Sequence, residues 1–226
     1  MLKRLCSGSS ADAPAPIDTG SLPKYFVDLK IQKFLMLGSN TQTVMPTNAN
    51  VTDVNDSYTS GVGFEGRFAY HWKDNKYFIF DLANLPASQA AAFTGTGGTG
   101  TPTISDSILT VNVGIQIPLI KPIFGLKPYV AGALGYAKLS GTITGTVSGA
   151  PLTIGYGASG FDLMIEGGLV KEFSPNWSAV GSLGFTYEGL SPTVNVTNLA
   201  ALPLTTALAG RSYSHLTISF GGRYSF

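Results

Sequence analysis

The sequence predicts an all-β chain, an eight-stranded antiparallel transmembrane β-barrel with short turns at one end and long loops at the other. Three observations lead there. The 226 residues are 44% hydrophobic but only 12% charged, about half the charged share of a soluble domain. No stretch reaches the roughly 18 uninterrupted apolar residues of a membrane-spanning helix, since the longest candidate, Pro118 to Tyr136, is broken by Lys121, Lys127 and three prolines. Apolar residues alternate instead with polar or small ones, the pattern of a strand whose two faces meet different surroundings.

Residues 1–23 read as a flexible N-terminal periplasmic tail, small and proline-containing (Pro14, Pro16, Pro23), without periodicity. Residues 24–226 read as the barrel. Its last strand is the clearest, with Leu216, Ile218, Phe220, Tyr224 and Phe226 alternating with Thr217, Ser219, Arg223 and Ser225. Eleven residues of strict alternation match the length of a tilted membrane strand. Segments 24–38, 58–72, 76–84, 107–119, 126–139, 159–173 and 177–188 follow the same rule. In the first, Val27, Leu29, Ile31, Leu35 and Leu37 oppose Asp28, Lys30 and Gln32.

The connections alternate in length. Lys73-Asp74-Asn75, Lys121 to Gly125 and Ser174-Pro175-Asn176 are short, whereas 39–57, 85–106, 140–158 and 189–211 are long. Membrane barrels carry short periplasmic turns and long extracellular loops, so an even strand count predicts two periplasmic termini. Aromatics predict two interfacial bands. One joins Tyr25, Tyr70, Trp72, Tyr77, Phe124, Tyr129, Phe173, Trp177, Tyr224 and Phe226, and the other Tyr58, Tyr136, Tyr156, Tyr187 and Tyr213.

The inward parity collects Asp28, Lys30, Glu65, Arg67, His71, Asp81, Asp162, Glu166, Glu188, His215 and Arg223. Unpaired in a dry lumen, each charge costs several kcal/mol, so a salt-bridge network is expected there. An eight-stranded barrel is just wide enough for side chains to fill, which argues against an open pore. Ser214, His215 and Glu188 contain the residue types of a hydrolytic set, as in a lipid-modifying enzyme. Adjacent strand residues point to opposite faces, however, so Ser214 and His215 diverge, and no catalytic residue is assigned. His71 and His215 are too few for a metal site, and no cofactor is expected. A net charge of +1 offers no basic field for nucleic acid.

Residues 82–105, 140–161 and 189–210 contain no Asp, Glu, Lys or Arg. Apolar, β-prone loops point to contacts with a protein, a second copy or an apolar ligand, or to strands that run on beyond the membrane and pack together. Asn50-Val-Thr and Asn195-Val-Thr match glycosylation acceptors by chance. Cys6 is the lone cysteine, so no internal disulfide forms. Met1 to Leu5 looks like the charged head of a signal peptide without the apolar core, and a longer precursor is expected to supply one. Cys6-Ser-Gly-Ser-Ser resembles a lipoprotein start; an inert tail residue is the expectation and lipidation of Cys6 the alternative.

Leu126-Lys-Pro-Tyr-Val-Ala-Gly-Ala-Leu-Gly-Tyr-Ala137, the hairpin from Phe161 through Ser174-Pro-Asn-Trp-Ser178, and the terminal Phe226 carry a resemblance. Over residues 24–226 the chain resembles the small outer-membrane barrels of the outer-membrane protein A, outer-membrane protein W and opacity type. The resemblance implies outer-membrane residence among phospholipid and lipopolysaccharide, and a C-terminal signal, Phe220, Tyr224 and Phe226, read by the barrel-assembly machinery. It permits two roles: a structural or interaction barrel acting through its loops, or porin-like passage of a small apolar solute.

Overall fold

The computed structural model describes residues 22–37, 53–55, 60–90, 92–94, 103–119, 121–147, 150–193 and 211–226. Cys6, Asn50, Asn195 and Tyr58 lie outside them. Among the described residues ten strands are formed: β1 (Tyr25–Met36), β2 (Asp53–Asn55), β3 (Ser60–Lys73), β4 (Lys76–Ala90), β5 (Ala92–Thr94), β6 (Thr103–Pro118), β7 (Lys127–Val147), β8 (Ala150–Glu172), β9 (Trp177–Thr193) and β10 (Arg211–Ser225). Eight close into an antiparallel barrel in the order β1-β10-β9-β8-β7-β6-β4-β3, and β2 and β5 form a separate two-stranded ribbon.

Closure is made by β1 and β10, which pair from Phe26↔Ser225 to Met36↔His215. Tyr25 and Phe226 exchange both backbone hydrogen bonds at 3.0 Å. Followed from Asp28, the register passes Arg67, Asp81, Asn112, Gly135, Asp162 and Glu188 and returns to β10 at Tyr213. Asp28 itself pairs with Arg223. One circuit therefore climbs ten residues, from 223 to 213, a stagger that goes with strands tilted roughly 35–45°.

The outer face is apolar. On β7, Val130, Leu134 and Tyr136 are exposed, and so are Leu29, Phe64, Phe80, Val113, Ile165, Leu183 and Phe220 around the wall. Lys138, Asn84 and Ser107 bound the belt at the loop end, and Lys73, Lys76, Lys127 and Lys171 at the turn end. Such a belt, about 20–25 Å tall, suits lipid and no aqueous setting. Tyr70, Tyr25, Phe226, Tyr224 and Trp177 form an unbroken row at the turn end, with ring centroids 4.9–6.0 Å apart. Tyr77, Tyr129 and Tyr213 do not belong to the predicted bands. They point into the lumen and are buried, because their parity is that of the inward face.

The short turns fall where predicted. Asp74 turns β3 into β4 with φ 52°, and Phe124 and Gly125, with φ 50° and 74°, close the Ile123–Leu126 turn. Positive φ at both central residues matches the hairpin turn that follows strand twist.

At the other end the strands run further than their sequence boundaries. β7 and β8 pair out to Val147↔Ala150, so most of predicted loop 140–158 is strand. β4 reaches Ala90, β6 starts at Thr103 and β9 extends to Thr193, which removes the edges of loops 85–106 and 189–211. The β3–β4 register stops at Phe64↔Asn84. Beyond it, Ser60 and Gly61 pair with β1 and Leu85–Ala90 with β6. Pro86 has no N–H to offer there.

Candidate functional site: the lumenal charge layer

The lumen is stratified. At the turn end Phe26, Tyr77, Ile79, Tyr129, Val170 and Val180 form an apolar layer. At the loop end Phe34, Leu85, Ile108, Leu139, Leu190 and Tyr213 form a second. Between them lie the charges.

Arg67 is central and about 1% exposed. Its Nε and Nη2 donate to Asp81 Oδ1 and Oδ2 at 2.6 and 3.0 Å, and Nη1 donates to Glu166 Oε1 at 2.8 Å and Gln116 Oε1 at 3.0 Å. Glu65 Oε1 is 3.3 Å from Nη2. Lys30 Nζ lies 2.6 Å from Glu65 Oε1 and 3.1 Å from Glu166 Oε2. Gln32 donates to Glu65, and the Tyr129 hydroxyl donates to Glu166 Oε1 at 2.7 Å. Four strands thus place two cations among three carboxylates, so each charge meets an opposite one within hydrogen-bond reach.

Toward the turn end, Arg223 donates from Nε and Nη2 to the two oxygens of Asp28 at 2.7 and 2.8 Å. Its guanidinium carbon sits 3.6 Å from the centroid of the Phe26 ring. Toward the loop end, Asn112 donates to Asp162 Oδ2 at 2.6 Å. The bond crosses β7 at Gly135, where a Cβ would collide with Asn112 Oδ1 and Val111 O. Asp162 stands opposite Glu188 in the register. Glu188 is fully buried and neither of its oxygens has a hydrogen-bond partner; His215 Nδ1 is 3.9 Å away.

Ten of the predicted inward residues, Asp28, Lys30, Glu65, Arg67, Asp81, Asp162, Glu166, Glu188, His215 and Arg223, are buried in the lumen. His71 is not. The register shifts between His71 and Lys73, the ring moves toward the turn, and Nε2 lies 2.7 Å from the Asp74 carbonyl. Strand parity sets Asn112 and Gln116 on the face opposite the apolar residues of 107–119, but sequence reasoning assigned no role to Asp106 or the loop-end apolar layer. Parity carried through 85, 106, 108, 139 and 190 recovers the last two, because strand periodicity continues into segments assigned to loops. Ser214 and His215 lie on opposite faces, so Ser214, His215 and Glu188 do not assemble a hydrolytic set. Phe220, Tyr224 and Phe226 all face outward.

A cavity of about 20 Å³ lies within the layer, walled by Gln32, Asn112, Asp162, Thr186 and His215 among others. The turn-end mouth is a wider hollow of about 650 Å³ bordered by Leu22, Tyr77, Tyr129, Phe173 and Arg223. The charge layer and the loop-end apolar layer separate it from the loop side.

No family model and no curated protein sequence matches the chain. Among solved structures it is similar to the outer membrane protein OprG from Pseudomonas aeruginosa (11% identity, 90% of this chain and 96% of that one, TM-score 0.49). It is similar as well to the outer membrane protein AlkL (14%, 96% and 97%, TM-score 0.47), and to Ail, the attachment invasion locus protein of Yersinia pestis (14%, 90% and 99%, TM-score 0.46). The closed wall, apolar belt and filled lumen make this chain an integral membrane β-barrel of the outer-membrane type.

Proposed function

We propose that the protein is a non-catalytic outer-membrane barrel that acts through its loop-end surface, with both termini periplasmic. The observation that carries this reading is the lumen: two apolar layers enclose a charge layer paired except at Asp162 and Glu188, leaving a void of about 20 Å³, room for about one water. A wall so filled supports presentation at the surface better than conduction. Lipid and lipopolysaccharide surround the belt, and the barrel-assembly machinery reads Phe220, Tyr224 and Phe226. The uncharged stretches within 85–106, 140–158 and 189–211 contact a neighbouring protein or a second copy. Planar-bilayer recordings should be silent, and removing residues 95–102 and 194–210 together should abolish a cross-link to the neighbour in native membranes. Steady conductance, or cross-linking unchanged by the deletion, defeats the proposal.

One observation favours a second reading, passage of a small apolar solute. The β3–β4 pairing ends at Phe64↔Asn84 while both strands continue, which gives the loop-end wall a seam held without a regular ladder. Uptake of an apolar dye into vesicles, lost when Val62 and Pro86 are replaced by a disulfide-bonded cysteine pair, supports it.

A further inference from the structure

Between the two apolar layers, among the described side chains, Asp28, Glu65, Asp81, Asp162, Glu166 and Glu188 face Lys30, Arg67 and Arg223 as permanent cations, all of them buried. The cations are committed. Arg223 holds Asp28, and Lys30 and Arg67 hold Glu65, Asp81 and Glu166. None of the three is within ion-pair distance of Asp162 or Glu188, which stand opposite one another on β8 and β9. A buried carboxylate without a counter-charge is among the costliest features a fold can carry.

The geometry beside Asp162 offers a remedy. The carboxyl is about 1% exposed and lines the cavity of about 20 Å³. One oxygen, Oδ2, accepts from Asn112, whereas Oδ1 has no partner, and neither does Asn112 Oδ1. The hydroxyl-bearing Thr110, Thr186 and Thr217 complete the wall on this side, with His215. The site is thus a small hole whose wall joins these oxygens to the apolar Ala83, Leu85 and Met164, with Asp162 as its carboxylate free of a cation. Among the described residues no three His, Cys, Asp or Glu side chains converge as metal ligands. That argues against a divalent or transition metal, which draws on such sets. Glu65, Asp81 and Glu166 also reach the cavity but are held by Lys30 and Arg67, so amide and hydroxyl oxygens beside one uncommitted carboxylate, Asp162, suit a weakly demanding monovalent ion.

We infer that the lumen binds one alkali-metal cation, sodium or potassium, in this cavity, with Asp162 Oδ1 and Asn112 Oδ1 among its ligands. The ion supplies a positive charge to Asp162, which none of Lys30, Arg67 and Arg223 reaches. It is enclosed on the loop side by the layer of Phe34, Leu85, Ile108, Leu139, Leu190 and Tyr213, so it is a resident of the folded barrel and not a permeating ion. Glu65, Asp81, Glu166 and His215 line the same cavity from β3, β4, β8 and β10, Lys30 and Arg67 lie against the first three, and Glu188 stands opposite Asp162 on β9.

The test is thermal unfolding of the whole protein in detergent micelles, in sodium or potassium chloride against choline chloride at equal ionic strength. Choline is too large for the cavity. The alkali salts should raise Tm by about 2–4 °C, and Asp162→Asn should remove the difference. Sodium NMR should show line broadening by the wild-type barrel, absent in Asp162→Asn. Should that variant fail to fold, Asn112→Ala should give the same loss. Equal Tm values in sodium, potassium and choline, with no broadening, overturn the proposal and mean that protons neutralise the excess carboxylates. An alkali effect that survives both substitutions overturns the site.

Discussion

The Arg67 guanidinium grips the Asp81 carboxylate of the neighbouring strand along a full edge, with Nε 2.6 Å from Oδ1 and Nη2 3.0 Å from Oδ2. Its remaining edge holds Glu166 and Gln116. Replacing Arg67 by Ala strands the buried Asp81 carboxylate and leaves Glu65 and Glu166 to share Lys30. Stability should fall by about 3–5 kcal/mol, read from urea unfolding in lipid vesicles. Arg67→Met with Asp81→Leu should recover part of that loss, since it removes a carboxylate along with the cation. No recovery would mean that the pair acts through shape and not charge.

Arg223 serves Asp28 and the Phe26 face at once. Lysine keeps the charge but loses the two-pronged contact and most of the stacking. Arg223→Lys should cost about 1–2 kcal/mol in the same assay, and a neutral result would discount the ring contact.

Leu134 is 62% exposed midway up the belt on β7. If lipid covers it, Leu134→Arg should destabilise the barrel in bilayers by about 2–4 kcal/mol. Leu134→Ala should cost less. Equal effects from Leu134→Arg and from arginine at the boundary residue Ser107 would contradict the placement of the membrane.

Phe124 is almost wholly exposed and holds a left-handed backbone, φ 50°. An aromatic side chain is disfavoured there by about 1 kcal/mol, and asparagine tolerates the conformation. Phe124→Asn should therefore raise stability in detergent by about 0.5–1 kcal/mol. A loss in bilayers but not in micelles would show that the ring dips into lipid headgroups.

Removing Phe226 deletes the hydrogen-bond pair with Tyr25 and the centre of the turn-end aromatic row. Folding yield into vesicles should drop several-fold, and Phe226→Tyr should restore it. Full yield after deletion would show that β1 and β10 close without this contact.

Much of the barrel was legible because the lipid side imposes a period of two. Every strand of the barrel showed it, and ten of eleven lumenal assignments followed from parity alone. His71 escaped because a register shift beside the turn redirects a side chain without leaving a sequence mark. The loop-end strand extensions escaped for a different reason. Thr142 to Val147 alternates Thr with Ile, Gly and Val, a weaker contrast than the charged and large apolar residues give lower on β7, so it read as loop. The partners of Arg67 were invisible because the stagger brings Glu166 and Gln116 to it from strands distant in sequence.

The ten-residue climb of the wall gives the charge layer a further consequence. Sliding one strand by two residues keeps every apolar side chain in lipid and every polar one inside, so the bilayer cannot tell the slipped barrel from the correct one. The ions can. A slip of that size sets Arg67 against Ile79 or Ala83 in place of Asp81, and the guanidinium loses its carboxylate. The buried pairs work as the teeth of a key, rejecting misaligned barrels that the hydrophobic pattern alone accepts.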